Sequence, residues 1–170
     1  WQNDMKKWKY SGLALIDEVN NLKPRAVLDV GCGYNEFKGK IDNLIGIDPY
    51  NDLADFETGT LDYKTDEKFD VILCLGSVNF GTRDKIITEI KKCVELLANG
   101  GTMFFRVNPG VQHDKPEAKW IEFFAWNVPF IIELSNMFNL DILDIRDDTN
   151  QRKYFIFRKK LTNLEKESKI

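Results

Sequence analysis

Residues 27–40 read VLDVGCGYNEFKGK. Four residues open it, apolar but for Asp29, the pattern of a short strand covered on both faces. The run then breaks into Gly31-Cys32-Gly33, where two glycines remove the Cβ atoms that would block a tight turn or a close ligand. The nature of that ligand depends on what the rest of the chain places around the turn.

Working outward, residues 1–22 read as helical, with Leu15, Ile16, Val19 and Leu22 at helical spacing and Ser11-Gly12 as a break. Lys23-Pro24-Arg25 stops that helix, because proline cannot continue the hydrogen-bond ladder. After the turn, NLIGID (43–48) reads as a second strand, 58–63 as a weak third, and FDVILCLG (69–76) as a strong fourth. Residues 82–98 place Ile86, Ile87, Ile90, Val94 and Leu97 on one helical face, and Asn99-Gly100-Gly101 reads as its stop. TMFFRV (102–107) is a fifth strand. A long aromatic helical stretch over 116–139, kinked near Pro129, then leads into LDILDIR and KYFIFRKK, an antiparallel pair closing the sheet. Strands alternating with helices predict one α/β domain with a largely parallel sheet. Residues 1–24 form its helical lead, 25–160 the domain and 161–170 a polar tail.

The 170 residues are 43% hydrophobic and 30% charged, with a net charge of −3 and a pI of about 5.3. These values describe a globular protein and argue against a whole-surface nucleic-acid or membrane field. A chain of this size buries roughly 70% of its unfolded surface, so it needs no staple. Cys32, Cys74 and Cys93 are scattered, which fits a reducing, cytoplasmic setting, and they form no metal-ligand spacing. No apolar run has the length of a membrane span. The chain opens on Trp1 rather than Met, so its natural start is expected upstream.

In open parallel sheets ligands bind beyond the carboxyl ends of the strands. Asp48, seventeen positions after Gly31, ends the second strand and is placed to accept hydrogen bonds from two ribose hydroxyls. A glycine-rich turn with an acid about 20 residues on is the general geometry for an adenosine cofactor. The dinucleotide pattern GxGxxG is not met: Glu36 stands at the third position, where a carboxylate would oppose pyrophosphate charge. A nicotinamide-dependent oxidoreductase is therefore disfavoured against a sulfonium nucleoside, which has no phosphate and carries cationic groups.

VLDVGCG, IGIDPY, FDVILCLG and LLANGGTMFFRV together resemble the successive core motifs of class I S-adenosylmethionine-dependent methyltransferases. The motifs span about residues 25 to 110, the terminal hairpin extends the likeness to about 158, and the chain looks like a small stand-alone member. The resemblance implies a Rossmann-like, largely parallel seven-stranded sheet with an antiparallel last strand, and here with shortened first crossovers. It implies S-adenosylmethionine as cofactor, with Asp29, Gly31, Cys32 and Gly33 around its methionine part. Asp48 would take the ribose, Pro49 and Tyr50 would flank the adenine, Leu61 or Asp62 would meet the adenine amino edge, and Leu75 and Gly76 would line the floor beside the sulfonium. No Asp/Asn-Pro-Pro-aromatic motif follows the fourth strand; GSVNFG occupies its place. That argues against an exocyclic base amine or a protein amide as acceptor; a small molecule is the expected class, with another macromolecular site as the alternative.

Asn79 and His113 are the candidates for substrate-side catalysis. His113 has the pKa range of a base, but beside Asp114 it reads first as an exposed loop histidine. Asn79 can orient a substrate or simply cap its loop. Arg106 reads equally as a contact for an acidic substrate group or as half of an internal ion pair. Trp126, off the helical stripe of the aromatic segment, reads as a surface aromatic. Arg152-Lys153 and Arg158-Lys159-Lys160 read as a solvated strand edge rather than a nucleic-acid patch. The rival to an enzyme is a sensor or partner subunit that keeps the cofactor pocket without turnover. Oligomeric state is not written in the chain.

Overall fold

A computed structural model describes residues 13–78, 81–107, 124, 126–147 and 152–161. In chain order the elements are α1 (Leu13–Asn20), β1 (Val27–Val30), β2 (Leu44–Ile47), β3 (Phe69–Cys74), α2 (Arg83–Leu96), β4 (Leu97–Val107), α3 (Val128–Met137), β5 (Leu140–Asp147) and β6 (Lys153–Lys159). The strands form one sheet in the order β2-β1-β3-β4-β6-β5. The pairings β1–β2, β1–β3 and β3–β4 are parallel, and β6 is antiparallel to both β4 and β5.

Alternation along the strands builds a core on each face. Leu28, Val30, Ile72, Met103, Phe105, Phe155 and Phe157 pack with Ile86 and Ile90 of α2 and with Phe130, Ile131 and Leu134 of α3. Val27, Val71, Leu73, Phe104 and Tyr154 face the other way, onto Leu15 and Val19 of α1 and onto Phe37 and Ile41.

Six strands stand among the described residues where seven were expected. The expected third strand over 58–63 does not form; the segment is irregular, with a turn at 60–62. Its place beside β2 is taken earlier, by a single parallel bridge from Phe56 to Ile47. No helix occurs between β1 and β2; residues 31–43 follow successive turns. Polar side chains do the work of the missing helix. The Asn35 side chain donates to the Leu53 carbonyl (3.1 Å) and to Asp55 (3.3 Å), and Lys38 pairs with Asp55 at 3.0 Å and donates to the Leu44 carbonyl. Burial works against the Asp55 charge, but the Gly46 N–H, Lys38 and Asn35 outweigh it and hold the carboxyl below its usual range.

Other expectations change as well. Helix α2 ends at Leu96, because Leu97 already pairs with Phe69; Asn99-Gly100-Gly101 is then an irregularity inside β4, where the register jumps to Val71–Thr102. Among the described residues helix α3 begins at Val128; residues 116–123 of the expected stretch lie outside them. Asn127 caps it by accepting the Phe130 N–H at 2.9 Å, and Pro129 sits in the first turn, where its missing N–H costs nothing, so it starts the helix rather than kinking it. Trp126 therefore lies before the helix, folded under it against Phe124, Phe130 and Phe155; it is 1% exposed and not a surface residue. The terminal basic run is no free edge either. β6 is an inner strand, with Lys153 paired to Asp147 and Arg158 to Asp141 across β5, and Lys159 donating to the Val94 and Leu97 carbonyls.

Gly46 tests the side-chain clamp. A Cβ there would stand 2.2 Å from Asn35 Oδ1 and 2.8 Å from Cys32 Sγ, and Asn35 is tied down at its other end. Gly46→Ala is expected to cost about 1–3 kcal/mol, the usual penalty of overpacking, read as a lower urea midpoint at unchanged slope. An unmoved midpoint would show that the clamp yields freely.

Candidate cofactor site

The carboxyl ends of β1, β2 and β3 open onto a cavity of about 530 Å³, within the size range of small-ligand and cofactor pockets. Its wall is made by Asp29, Gly31, Cys32, Gly33, Tyr34, Glu36, Phe37, Asp48, Pro49, Tyr50, Leu75, Gly76, Ser77 and Arg152.

The turn after β1 is stitched to the tip of β2. The amides of Gly31 and Cys32 both donate to the Ile47 carbonyl (2.8 and 2.9 Å), and the Gly33 amide donates to Asp48 Oδ2 at 3.0 Å. The other Asp48 oxygen accepts the Tyr50 N–H at 2.8 Å. Gly31 is required twice over: its φ is +68°, and a Cβ would stand 2.2 Å from that of Ser77, whose hydroxyl donates to the Val30 carbonyl. At Gly33 and Gly76 a Cβ would meet nothing within 4 Å, so bare backbone faces open space there.

The left-handed residue that follows Gly33 is Asn35, with φ +58°. Asparagine tolerates that conformation because its short polar side chain bonds locally. Glu36 thus does not stand in for a glycine; it is a wall residue.

Charge is concentrated in this small volume. Asp29 is 4% exposed, and burial first, then the nearby Asp48 carboxylate, push its pKa up to about 7. Burial together with Asp29, Asp48 and Asp55 pushes the Cys32 thiol up to about 12, so it stays a neutral thiol and contributes backbone and bulk rather than a nucleophile. Glu36 is partly buried, and both of its carboxylate oxygens are sealed from solvent with no hydrogen-bond partner among the described residues. Asp29, Glu36, Asp48 and Arg152 line one cavity. A pyrophosphate would add like charge to the carboxylates, whereas a ligand with cationic centres would offset them.

Of the residues expected at the cofactor, Asp29, Gly31, Cys32, Gly33, Asp48, Pro49, Tyr50, Leu75 and Gly76 line this cavity together. Leu61 and Asp62 do not reach it. Both are exposed on a turn beyond the β2 edge, where Asp62 lines a separate hollow with Phe56 and Tyr63, because the strand that would have carried them inward is absent. Asn79 and His113 lie outside the described residues. Arg106 is buried, 1% exposed, and is not part of the wall. Sequence reasoning set Glu36 beside the ligand only as an argument against pyrophosphate, and passed over Tyr34, Phe37, Ser77 and Arg152 as wall residues. For Arg152 the signal was topological: β6 is antiparallel to β4, so Lys153 lies beside Val107 at the carboxyl end and the residue before it reaches the cavity. Among the described residues no group of His, Cys, Asp and Glu is placed to hold a metal ion, and no helix is long and apolar enough to cross a membrane.

No protein-family model and no curated protein sequence matches the chain. Solved structures do. The N-methyltransferase NodS from Bradyrhizobium japonicum superposes with a TM-score of 0.62 at 18% identity, over 86% of this chain and 93% of that one. A 1,6-didemethyltoxoflavin-N1-methyltransferase from Burkholderia thailandensis, solved with 1,6-didemethyltoxoflavin and S-adenosylhomocysteine, gives 0.68 at 16% identity, over 85% and 76%. An S-adenosylmethionine-dependent methyltransferase from Clostridium acetobutylicum gives 0.65 at 16%, over 86% and 89%. The chain has the Rossmann-like fold of class I S-adenosylmethionine-dependent methyltransferases.

The raised pKa of Asp29 makes a stability statement. Below its ordinary value of 3.8 the carboxyl is protonated folded and unfolded alike; between there and about 7 only the folded protein keeps the proton, so the stabilisation is lost as pH rises through that window. Asp29→Asn removes the titration. The stability of the wild type relative to this variant, from urea melts without ligand, is expected to fall by on the order of 2–4 kcal/mol from about pH 4 to about pH 7.5 and then level off. A difference independent of pH would mean that the carboxyl ionises normally in place.

Proposed function

We propose that the protein is an S-adenosylmethionine-dependent methyltransferase acting on a small-molecule acceptor. The observation that carries the reading is the cavity itself: bare glycine backbone and three carboxylates, set at the strand ends of a fold shared with methyltransferases. The wall fits the cofactor. Open space at Gly33 and Gly76 admits close backbone approach, Asp48 stands preset at the β2 tip by two backbone amides, and the carboxylates favour a ligand bearing a sulfonium and an ammonium.

When bound, S-adenosylmethionine supplies an activated methyl group on a cationic sulfur. The chain's own task is to hold, align and exclude water. Asp48, oriented by Gly33 and Tyr50, is the acceptor for the ribose hydroxyls. Pro49 and Tyr50 flank the base, and Leu75 and Gly76 form the floor nearest the sulfur. Asp29, whose ionised form is disfavoured by burial and by Asp48, is stabilised as an anion by a nearby cation. Asn79 and His113 stay the proposed substrate-side residues. The small-molecule class is supported by the toxoflavin methyltransferase, which was solved with such an acceptor.

Calorimetric titration with S-adenosylmethionine, S-adenosylhomocysteine and NAD tests the reading. Saturable binding of the two adenosyl ligands is expected, with Asp48→Ala weakening both by at least about tenfold, or about 1.4 kcal/mol. Saturable binding of NAD alone would overturn it. Transfer of labelled methyl to a small-molecule extract is the second expected outcome; cofactor binding with no transfer to any extract would favour a sensor or partner subunit instead.

A further inference from the structure

Charge is not spread evenly along the strand ends that frame the cavity. Asp48 follows β2 and Asp29 lies in β1, while the floor after β3 is Leu75, Gly76 and Ser77, which carry none. Arg152 comes from the other side: it precedes β6, two places beyond β3 in the sheet. Among the described residues it is the one cation in the wall. At roughly 4.8 Å per strand, the start of β6 is about 10 Å from the floor and about 19 Å from the tip of β2. The hairpin fixes where Arg152 stands. Lys153 sits opposite Val107 of β4 and Asp147 of β5 and pairs with Asp147 at 2.9 Å, so that cation is engaged outside the cavity. Arg152, one residue earlier, lies just beyond this clamp, half-buried and on the wall.

With the nucleoside on the β2 side and the methionine part at the glycine turn after β1, the space left for an acceptor lies toward β4 and β6, where Arg152 stands. A guanidinium keeps its charge near neutral pH, and its planar fork matches the two oxygens of a carboxylate. A carboxylate brings one negative charge toward Asp29 and Asp48, whereas a phosphate brings nearly two, so the carboxylate fits this wall better. We infer that the methyl acceptor carries a carboxylate held by Arg152, and that Arg152 makes the site select such acceptors over their neutral counterparts. The carboxylate is a handle: its oxygens face the guanidinium, and the methyl group goes to another atom of the acceptor. The inference rests on the reading that the cavity binds S-adenosylmethionine and serves methyl transfer to a small molecule.

For the test, a small-molecule extract is split on an anion exchanger near neutral pH, and each fraction is offered to the protein with methyl-labelled S-adenosylmethionine. The retained anions are expected to contain the acceptor and the flow-through to lack it. The labelled product should itself be retained, since its carboxylate is intact, and phosphatase treatment of the retained fraction should leave the acceptor active. Arg152→Gln should lower transfer from a dilute retained fraction at least about tenfold, the loss of one charge-assisted pair. Part of that rate should return at higher acceptor concentration, as a KM effect does, and Arg152→Lys should fall between the two. Both variants should bind S-adenosylhomocysteine within about twofold of the wild type, which also checks that they fold. Transfer to the flow-through alone, a product no longer retained, loss of the acceptor to phosphatase, or an unchanged rate in Arg152→Gln would overturn the inference and leave the cofactor reading intact. So would weaker binding of S-adenosylhomocysteine with unchanged binding of 5′-methylthioadenosine, which would give Arg152 the cofactor's own carboxylate. A wild type that binds S-adenosylhomocysteine but transfers to no fraction would overturn the inference together with the enzyme reading.

Discussion

Three consecutive amides, those of Gly31, Cys32 and Gly33, reach across to the tip of β2, two to the Ile47 carbonyl and one to the Asp48 carboxylate. That stitch fixes the distance between the first strand and its neighbour at the end where ligands enter, and most of the site is built on it. It orients Asp48 from one side while the Tyr50 amide orients it from the other. It also brings Gly31 onto Ser77, so the loop after β3 is held by the same turn. Three strand ends are thereby locked together by backbone amides, the Asp48 carboxylate and the Ser77 hydroxyl, provided residue 31 has no side chain.

The electrostatics follow from that closeness. Burial, with Asp29, Asp48 and Asp55 packed close by, keeps Cys32 protonated and removes it from chemistry. The same crowding disfavours another anion in the cavity and favours a cation. A fold likeness at 16–18% identity says nothing of ligands by itself; the charge pattern of this wall is an independent argument for the same class of cofactor.

Much of this was legible in the chain, and the failures have physical causes. The runs VLDV, LIGI and FDVILC were readable because strands covered on both faces must be apolar throughout. Asp48 was readable because it is fixed by spacing to the end of such a run. The end of α2 was misjudged because Leu97 leaves the helix to pair with Phe69, a partner 28 positions away that no local pattern reveals. Trp126 was placed outside because helical periodicity was extended through residues that precede the Asn127 cap. The third strand was expected too late along the chain, since a single bridge at Phe56 leaves no alternation to detect. Arg152 and Glu36 were visible as residues but not as neighbours; only the return of β6 and the left-handed turn at Asn35 bring them to one wall.

Between β1 and β2, residues 31–43 cross without a helix, secured by Asn35, Lys38 and Asp55. A helical wall moves as a rod, and a change at one of its positions is felt along its length. A wall of turns pinned at separate points has no such stiffness. Each pin can be altered on its own, so the shape of this pocket is set by single side chains and is open to revision one substitution at a time.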